Sequence, residues 1–342
     1  MNYPFDLRTL WFLLAGVLLT GYAILDGFDL GVGILLLGAK KDLDRRVLLN
    51  AIGPVWDGNE VWLVVGGGAL FAAFPDVYAT VFSGFYLPFM LLLVALIFRA
   101  AAIEFRSKET SHRWRQTWDV SFAVASVAIA LLAGVALGNM VVGIPLDADF
   151  EYRGGFFNLL NPYALIVGLT TVSVFAMHGA IYLVLKTEGE VQAMVKGWAR
   201  STTIAFGLCY GLLTMATFVF APHMAARIRE TPWLILLPML SLISIANVPR
   251  EISAGREARA FISSSVGIAT LLALFGMGTY PRIVISSPNP ANSLTIYNAA
   301  ASDATLTTMT SIALLGMPFV LAYTIAIYQI FRGKVDVSKL HY

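Results

Sequence analysis

Four carboxylates stand at one repeated spacing inside apolar sequence. Leu25-Asp26-Gly27-Phe28-Asp29-Leu30-Gly31-Val32-Gly33 carries Asp26 and Asp29 three positions apart; Pro54-Val55-Trp56-Asp57-Gly58-Asn59-Glu60-Val61-Trp62 carries Asp57 and Glu60 at the same interval. On a helix that spacing puts both members of a pair on one face. Carboxylates within a membrane helix are costly, and they mark ion paths, proton relays or paired charges. Asp29 lies eleven residues before Lys40 and Asp57 eleven after Arg46, so each sits about 16 Å from the basic segment between them, near mid-membrane. The short link 40–46 makes the two helices antiparallel neighbours. Asp29 and Asp57, at matched depth, are expected to lie close together.

Glu104, flanked by Arg99 and Arg106, and Asp119 add two acids nearer the basic end. With Asp29 and Asp57 they sketch a polar route along which a proton could hop through bridging water. The plainer reading is that these acids bond helix to helix, or bind an arginine of a neighbouring subunit, with Arg99 as a structural counter-ion. Histidine chemistry is limited. His112, His223 and His341 fall in loops, at a helix end or at the terminus, and only His178 lies deep in an apolar run. Adjacent Met177 and His178 point about 100° apart on a helix and cannot share one iron, so His178 is expected to be a hydrogen-bonded structural residue. One cysteine, Cys209, excludes a disulfide framework and a thiolate metal site, and no metal site is expected.

The elements that hold these groups follow from composition. The chain has 342 residues, 58% hydrophobic and 13% charged, and its 23 basic and 21 acidic residues leave a net charge of +2. Its mean hydropathy is +0.75. A soluble domain is about a quarter charged, and a nucleic-acid binder needs a basic excess, so both classes are excluded. Nine runs are long enough to cross a bilayer core as helices: about 9–38, 47–73, 77–103, 117–143, 160–186, 201–221, 232–248, 259–280 and 308–331. The seventh is short, bounded by Pro232 and Pro249 and interrupted by Pro238. The first reads as a retained span rather than a cleaved signal peptide, because it is long and holds two aspartates. Gly16, Gly27, Gly31, Gly66, Gly67 and Gly68 are expected at close helix contacts, and Trp11, Trp114, Trp118 and Tyr328 in an aromatic belt.

Most basic residues cluster in alternate connections: 40–46, 99–115, 186–200, 250–259 and the tail 332–339. Arg8, Arg153, Arg227, Arg229 and Arg282 remain on the other side. The positive-inside rule then puts the N-terminus outside and the C-terminus in the cytoplasm. The segment 281–307, rich in Ser, Asn and Pro, is the longest external loop and is expected to fold over the outer face.

Several strings together resemble a known family. Asp26-Gly-Phe-Asp29-Leu-Gly-Val-Gly33, Trp56-Asp57-Gly-Asn59-Glu60-Val-Trp62, Phe82-Ser-Gly-Phe-Tyr86, Phe98-Arg99 and Glu104-Phe-Arg106 are similar to subunit II of the cytochrome bd quinol oxidases, and Asn161-Pro-Tyr163 and His178-Gly-Ala-Ile-Tyr182 fit as well. The similarity spans the chain, with its most specific motifs in the first three helices. The expected fold is all-α: one polytopic membrane domain over 1–342, with about nine transmembrane helices in two four-helix bundles plus one extra helix. The first bundle covers about 9–143 and the second half about 160–331.

The resemblance implies a multi-pass subunit of the bacterial cytoplasmic membrane, paired with a haem-bearing subunit I; a small accessory subunit is left open. Two b-type haems, one d-type haem and the quinol site belong to subunit I, and no cofactor is expected in this chain. The complex oxidises quinol and reduces dioxygen to water. In that setting Asp57 is the clearest member of a proton path, with Glu104 near its entrance and Asp29 assisting; Asp26, Glu60, Asp119 and Arg99 support it. Two other classes fit the same acids: a proton-coupled secondary transporter and a purely architectural subunit. Nothing in the second half mirrors Asp26–Gly33 or Trp56–Trp62, which counts against the inverted repeat of a transporter.

Overall fold

A computed structural model describes residues 6–339; His341 lies outside them. Its helices are α1 (Leu7–Leu35), α2 (Asp42–Ile52), α3 (Trp56–Ala73), α4 (Pro75–Gly84), α5 (Tyr86–Phe105), α6 (His112–Val142), α7 (Pro162–Lys186), α8 (Gly189–Phe220), α9 (Ala226–Glu230), α10 (Leu236–Ser253), α11 (Glu257–Thr279) and α12 (Asp303–Ile330). Among the described residues, eight helical segments are long and apolar enough to cross a membrane. There are nine if α3 and α4, which meet at a bend of 120°, form one broken span. The chain is a polytopic helical membrane protein.

Four boundaries differ from the hydropathy reading, one of them the sixth run, whose helix begins at Gly189 rather than near 201. The second run, about 47–73, is two helices, because Pro54 has no N–H to donate and its ring crowds the preceding turn. Val55 still closes a turn onto Ile52, 2.9 Å, and Asn59 starts a new ladder on Val55, 3.0 Å. The third run does not begin at 77: residues 75–84 form α4, and the span proper is α5. Phe74 and Phe85, the corners on either side of α4, are both buried and pinned in one apolar cluster. The seventh run continues through Pro249, which α10 accommodates near its C-terminal end, while Pro238 falls in its first turn, where the missing N–H costs nothing. Where the sequence marked Asn161-Pro-Tyr163, Asn161 caps α7 by accepting from the Ala164 N–H at 2.9 Å, and Pro162 takes the first helical position.

α1 is the central helix, packed against α3, α6, α7 and α11 and touched by α12. α7 bridges the two halves of the chain, lying against α1 and α6 on one side and α8 and α11 on the other; α5 packs on α6, and α10 on α11. At the end opposite the basic connections, β1 (Arg282–Val284) pairs antiparallel with β2 (Leu294–Thr295). The Ile144 N–H donates to Ile285 at 2.9 Å, so the 281–302 loop is tied to the α6–α7 connection. Val284, Leu294, Ile296 and Ala299 seal this end over Trp11 and Leu146.

Every residue of α1 from Asp26 to Gly33 is buried. Glycine makes that possible by letting neighbours close in on several sides. A Cβ on Gly27 would meet the Phe175 ring, and one on Gly33 would strike Ser126 of α6. One on Gly31 would collide with the Phe175 carbonyl and the Gly179 backbone of α7. Gly66 meets Leu18 and Leu19 of α1, as expected, while Gly16, Gly67 and Gly68 face open space and make no close helix contact, contrary to expectation. Small residues on an outward face leave no mark in sequence that separates them from packed ones. Replacing Gly31 with Val therefore should destabilise the purified protein by at least about 1–3 kcal/mol, whereas Gly67→Ala should be near neutral. Thermal unfolding in detergent measures both, and equal melting temperatures would contradict the α1–α7 contact.

Candidate functional site

Asp26 and Arg99 carry opposite charges with no exposure at all. The guanidinium of Arg99, on α5, lies across the Asp26 carboxylate of α1: Nη2 donates to Oδ1 and Nη1 to Oδ2 at 3.0 Å. Nη1 also reaches Oε2 of Glu60 on α3, 3.3 Å away. One cation thus joins three helices. This fork geometry suits arginine, whose planar donors match both carboxylate oxygens. The Glu60 side chain keeps 22% exposure, so it forms the outer member of the trio. Nε of Arg99 is buried without a partner among the described residues.

Asp29 is one helical turn further along the same face of α1 and takes a different partner. Its Oδ2 accepts from Nδ2 of Asn59 at 2.8 Å, and the same amide nitrogen donates to the Leu25 carbonyl at 3.2 Å. The Tyr328 hydroxyl, from α12, donates to Oδ1 of Asn59 at 2.9 Å. A hydrogen-bonded chain Tyr328–Asn59–Asp29 therefore crosses α12, α3 and α1. Its last atom, Oδ1 of Asp29, is buried with no partner among the described residues.

A second charged cluster closes the basic end. Asp119 of α6 accepts from Arg106 Nε at 2.5 Å and from Arg45 Nη1 at 2.9 Å. Asp42, at the start of α2, accepts from Arg106 Nη2 at 2.8 Å and Arg115 Nη1 at 2.9 Å. Partial burial opposes ionisation of Asp42, but the hydrogen bond and charge of Arg106, with the charge of Arg115, hold its carboxyl below the ordinary range. Arg106 ties the α1–α2 connection to the α5–α6 connection through these two acids.

The expected neighbours Asp29 and Asp57 do not form a pair. Residues 57 and 59 are about 200° apart around a helix, so once Asn59 turns toward α1, Asp57 must turn away. Asp57 is exposed on α3, and Glu104 is exposed near the end of α5; neither makes a hydrogen bond or ion pair with a described residue. Asp26, Glu60 and Arg99 come together in the first cluster and Asp119 in the second. Asn59 and Tyr328 were missed as site residues. Asn59 stood inside the marked motif, and its amide was the available signal; Tyr328, expected in an interfacial belt, instead reaches into the cluster. His178 is fully buried and stacked on Phe261, ring centroids 4.9 Å apart. Its Nε2 faces the Ile24 carbonyl at 3.0 Å and so carries the proton, while Nδ1 meets the Ser264 hydroxyl at 2.8 Å. Among the described residues no group of three or more His, Cys, Asp or Glu side chains could hold a metal ion.

Comparison with known proteins gives a consistent family. A family model described as cytochrome bd terminal oxidase subunit II matches residues 7–331. The cytochrome bd-I ubiquinol oxidase subunit 2 of Escherichia coli (strain K12) is 37% identical over 366 residues, covering 98% of this chain and 96% of that protein. The cytochrome bd ubiquinol oxidase subunit 2 of Bacillus subtilis (strain 168) is 35% identical over 337 residues, covering 97% of each. A chain in the structure of bd oxidase from Geobacillus thermodenitrificans superposes with a TM-score of 0.79 at 17% identity, over 95% of this chain and 98% of that one, and so shares the fold.

Removing one partner of a buried ion pair leaves an uncompensated charge, at a cost of about 3–5 kcal/mol. Arg99→Met should lower unfolding stability by that amount. Asp26→Leu combined with Arg99→Met should lose clearly less than Arg99→Met alone, because the isolated carboxylate is gone. A double variant no more stable than the single one, in the same denaturation assay, would show that the pair does not act as a unit.

Proposed function

This chain belongs to the cytochrome bd terminal oxidase subunit II family, and from that premise we propose that it is the non-haem subunit of a quinol:oxygen oxidoreductase. In this reading it scaffolds a haem-bearing subunit I and supplies part of a proton path from the cytoplasm to the oxygen-reducing site. The names of its relatives, subunits 2 of ubiquinol oxidases, support both the quinol substrate and the partner. The two b-type haems and the d-type haem are assigned to that partner. The residues here do not fit a haem: among the described residues His178 is the only histidine buried within the helices, and both its ring nitrogens are engaged. The excess of Lys and Arg at one end supports a cytoplasmic C-terminus and an external N-terminus in a bacterial inner membrane.

One observation carries the proton reading. α3 turns Glu60 and Asn59 inward but presents Asp57 on an exposed stripe with Val61, Val64, Val65 and Phe71. A carboxylate on such a face is expensive against lipid, so the stripe is assigned to the partner subunit and Asp57 to the junction. Glu104, exposed near the basic end of α5, takes protons from the aqueous side. Asp29 can accept a proton on its unpartnered Oδ1 while Oδ2 keeps its bond to Asn59. Asp26 and Arg99 hold the three helices and set the local field, with Glu60 at their edge. Asp119 braces the entrance through Arg106 and Arg45. A purely architectural role has its own support in the Asp26–Arg99 pair, which needs no proton transfer to explain it.

Asp57→Asn separates the two readings. With relay, oxygen consumption by the purified complex falls about tenfold or more while haem absorbance per complex is unchanged. Full activity rejects relay through Asp57, and joint loss of haem and assembly assigns it to architecture. Asp29→Asn, measured the same way, should slow turnover without releasing the partner.

A further inference from the structure

We propose that the cleft between the α1–α2 turn and the first turns of α6 binds a phosphate group, that of an anionic membrane lipid. The inference stands apart from the proton reading. The cleft is a cavity of about 250 Å³ lined by Lys40, Arg45, His112, Arg115 and Gln116 together with the half-exposed Asp42 and the buried Asp119. The two acids do not neutralise it. Arg45, Arg106 and Arg115 already share Asp42 and Asp119 between them, three guanidiniums to two carboxylates. Lys40 and His112 are exposed and make no hydrogen bond or ion pair with any described residue. Glu190, which does not line the cleft, pairs with Lys41 at 3.4 Å.

The backbone adds to the same polarity. α6 runs for 31 residues, has no acid in its first turn, and its N-cap Ser111 makes no side-chain capping bond. Its free N–H groups and the positive end of its dipole favour an anion there. The depth points to a lipid rather than a soluble anion. Trp114 and Trp118 stack edge to face at 5.6 Å on the same opening turns of α6, and Phe105 packs on Trp118 at 5.6 Å. Aromatic rings of this kind collect at headgroup level, and basic pockets between helix ends are suited to phosphate headgroups. The phosphodiester would be held by Lys40 and His112, with Arg45 and Arg115 contributing their remaining donors.

Native mass spectrometry of the intact, delipidated oxidase complex tests this with defined probes: cardiolipin, phosphatidylglycerol, phosphatidylcholine and inorganic phosphate. The parent complex should retain the two anionic lipids in preference to phosphatidylcholine. Lys40→Gln should weaken their retention roughly fivefold, and Lys40→Gln with His112→Gln should remove one lipid adduct. Both side chains are exposed and unpaired, so the variants should keep the parent's subunit stoichiometry in the same spectra. If inorganic phosphate displaces the lipid, the phosphate is the recognised group. If phosphate binds at this site and no lipid is retained, the site takes free anion instead. Equal retention of phosphatidylcholine by the parent, or unchanged anionic adducts in the double variant, overturns the proposal.

Discussion

A guanidinium without solvent exposure in a membrane helix bundle is tolerable only if carboxylates meet it, and the arrangement of α1, α3 and α5 follows from that requirement. Arg99 satisfies both oxygens of Asp26 and one of Glu60. Those contacts fix which face of each helix points inward. Asn59 turns toward α1, Asp57 on the opposite side of α3 is left outside, and Glu60 sits between them at the edge of the helix, where it meets Arg99. The ion pair at the edge and the Asn59 contact within together set the rotation of α3. A buried pair is weak support for net stability; its value here lies in the single relative orientation it permits.

The same constraint explains why α1 is so thoroughly enclosed. A charged pair inside a bilayer must be kept from lipid on all sides, and α7 and α6 close in because Gly27, Gly31 and Gly33 present no side chain to them. His178 and Tyr182, both on α7, complete the enclosure. His178 anchors on the Ile24 carbonyl, and Tyr182 stacks on Phe28 at 3.9 Å while its hydroxyl donates to Ala51 at 3.0 Å. Polar side chains from α7 and α3 thus grip α1 through consecutive main-chain carbonyls, Ile24 for one and Leu25 for the other.

Much of this was legible in the residues. The acid spacing, the antiparallel opening hairpin, the apolar spans and the structural use of His178 all follow from periodicity, charge and cost in lipid. Rotation was not legible. Acids at 57 and 60 and an amide at 59 form polar stripes on two faces of α3, and only the turn at Pro54 and the partner on α5 decide which face is buried. The corner at Phe74 was hidden because hydropathy stays high through it, and apolar sequence records burial without recording direction. Tyr328 was misplaced for a related reason: a tyrosine a few residues from a basic helix end reads as interfacial until a buried amide is found within reach of its hydroxyl.

The two charged clusters differ in a way that bears on what each does. Around Asp119 and Asp42 each acid faces two arginines, and both acids are fully committed to joining the α1–α2 and α5–α6 connections. Among the described residues the hydrogen-bond donor to Asp29 is a neutral amide, and one carboxylate oxygen is uncommitted. Two guanidiniums on one carboxylate make charge-assisted bonds to both of its oxygens. Geometry thus divides the acids into the arginine-clamped ones, which join helix to helix, and Asp29 with the outward acids, which carry no such clamp.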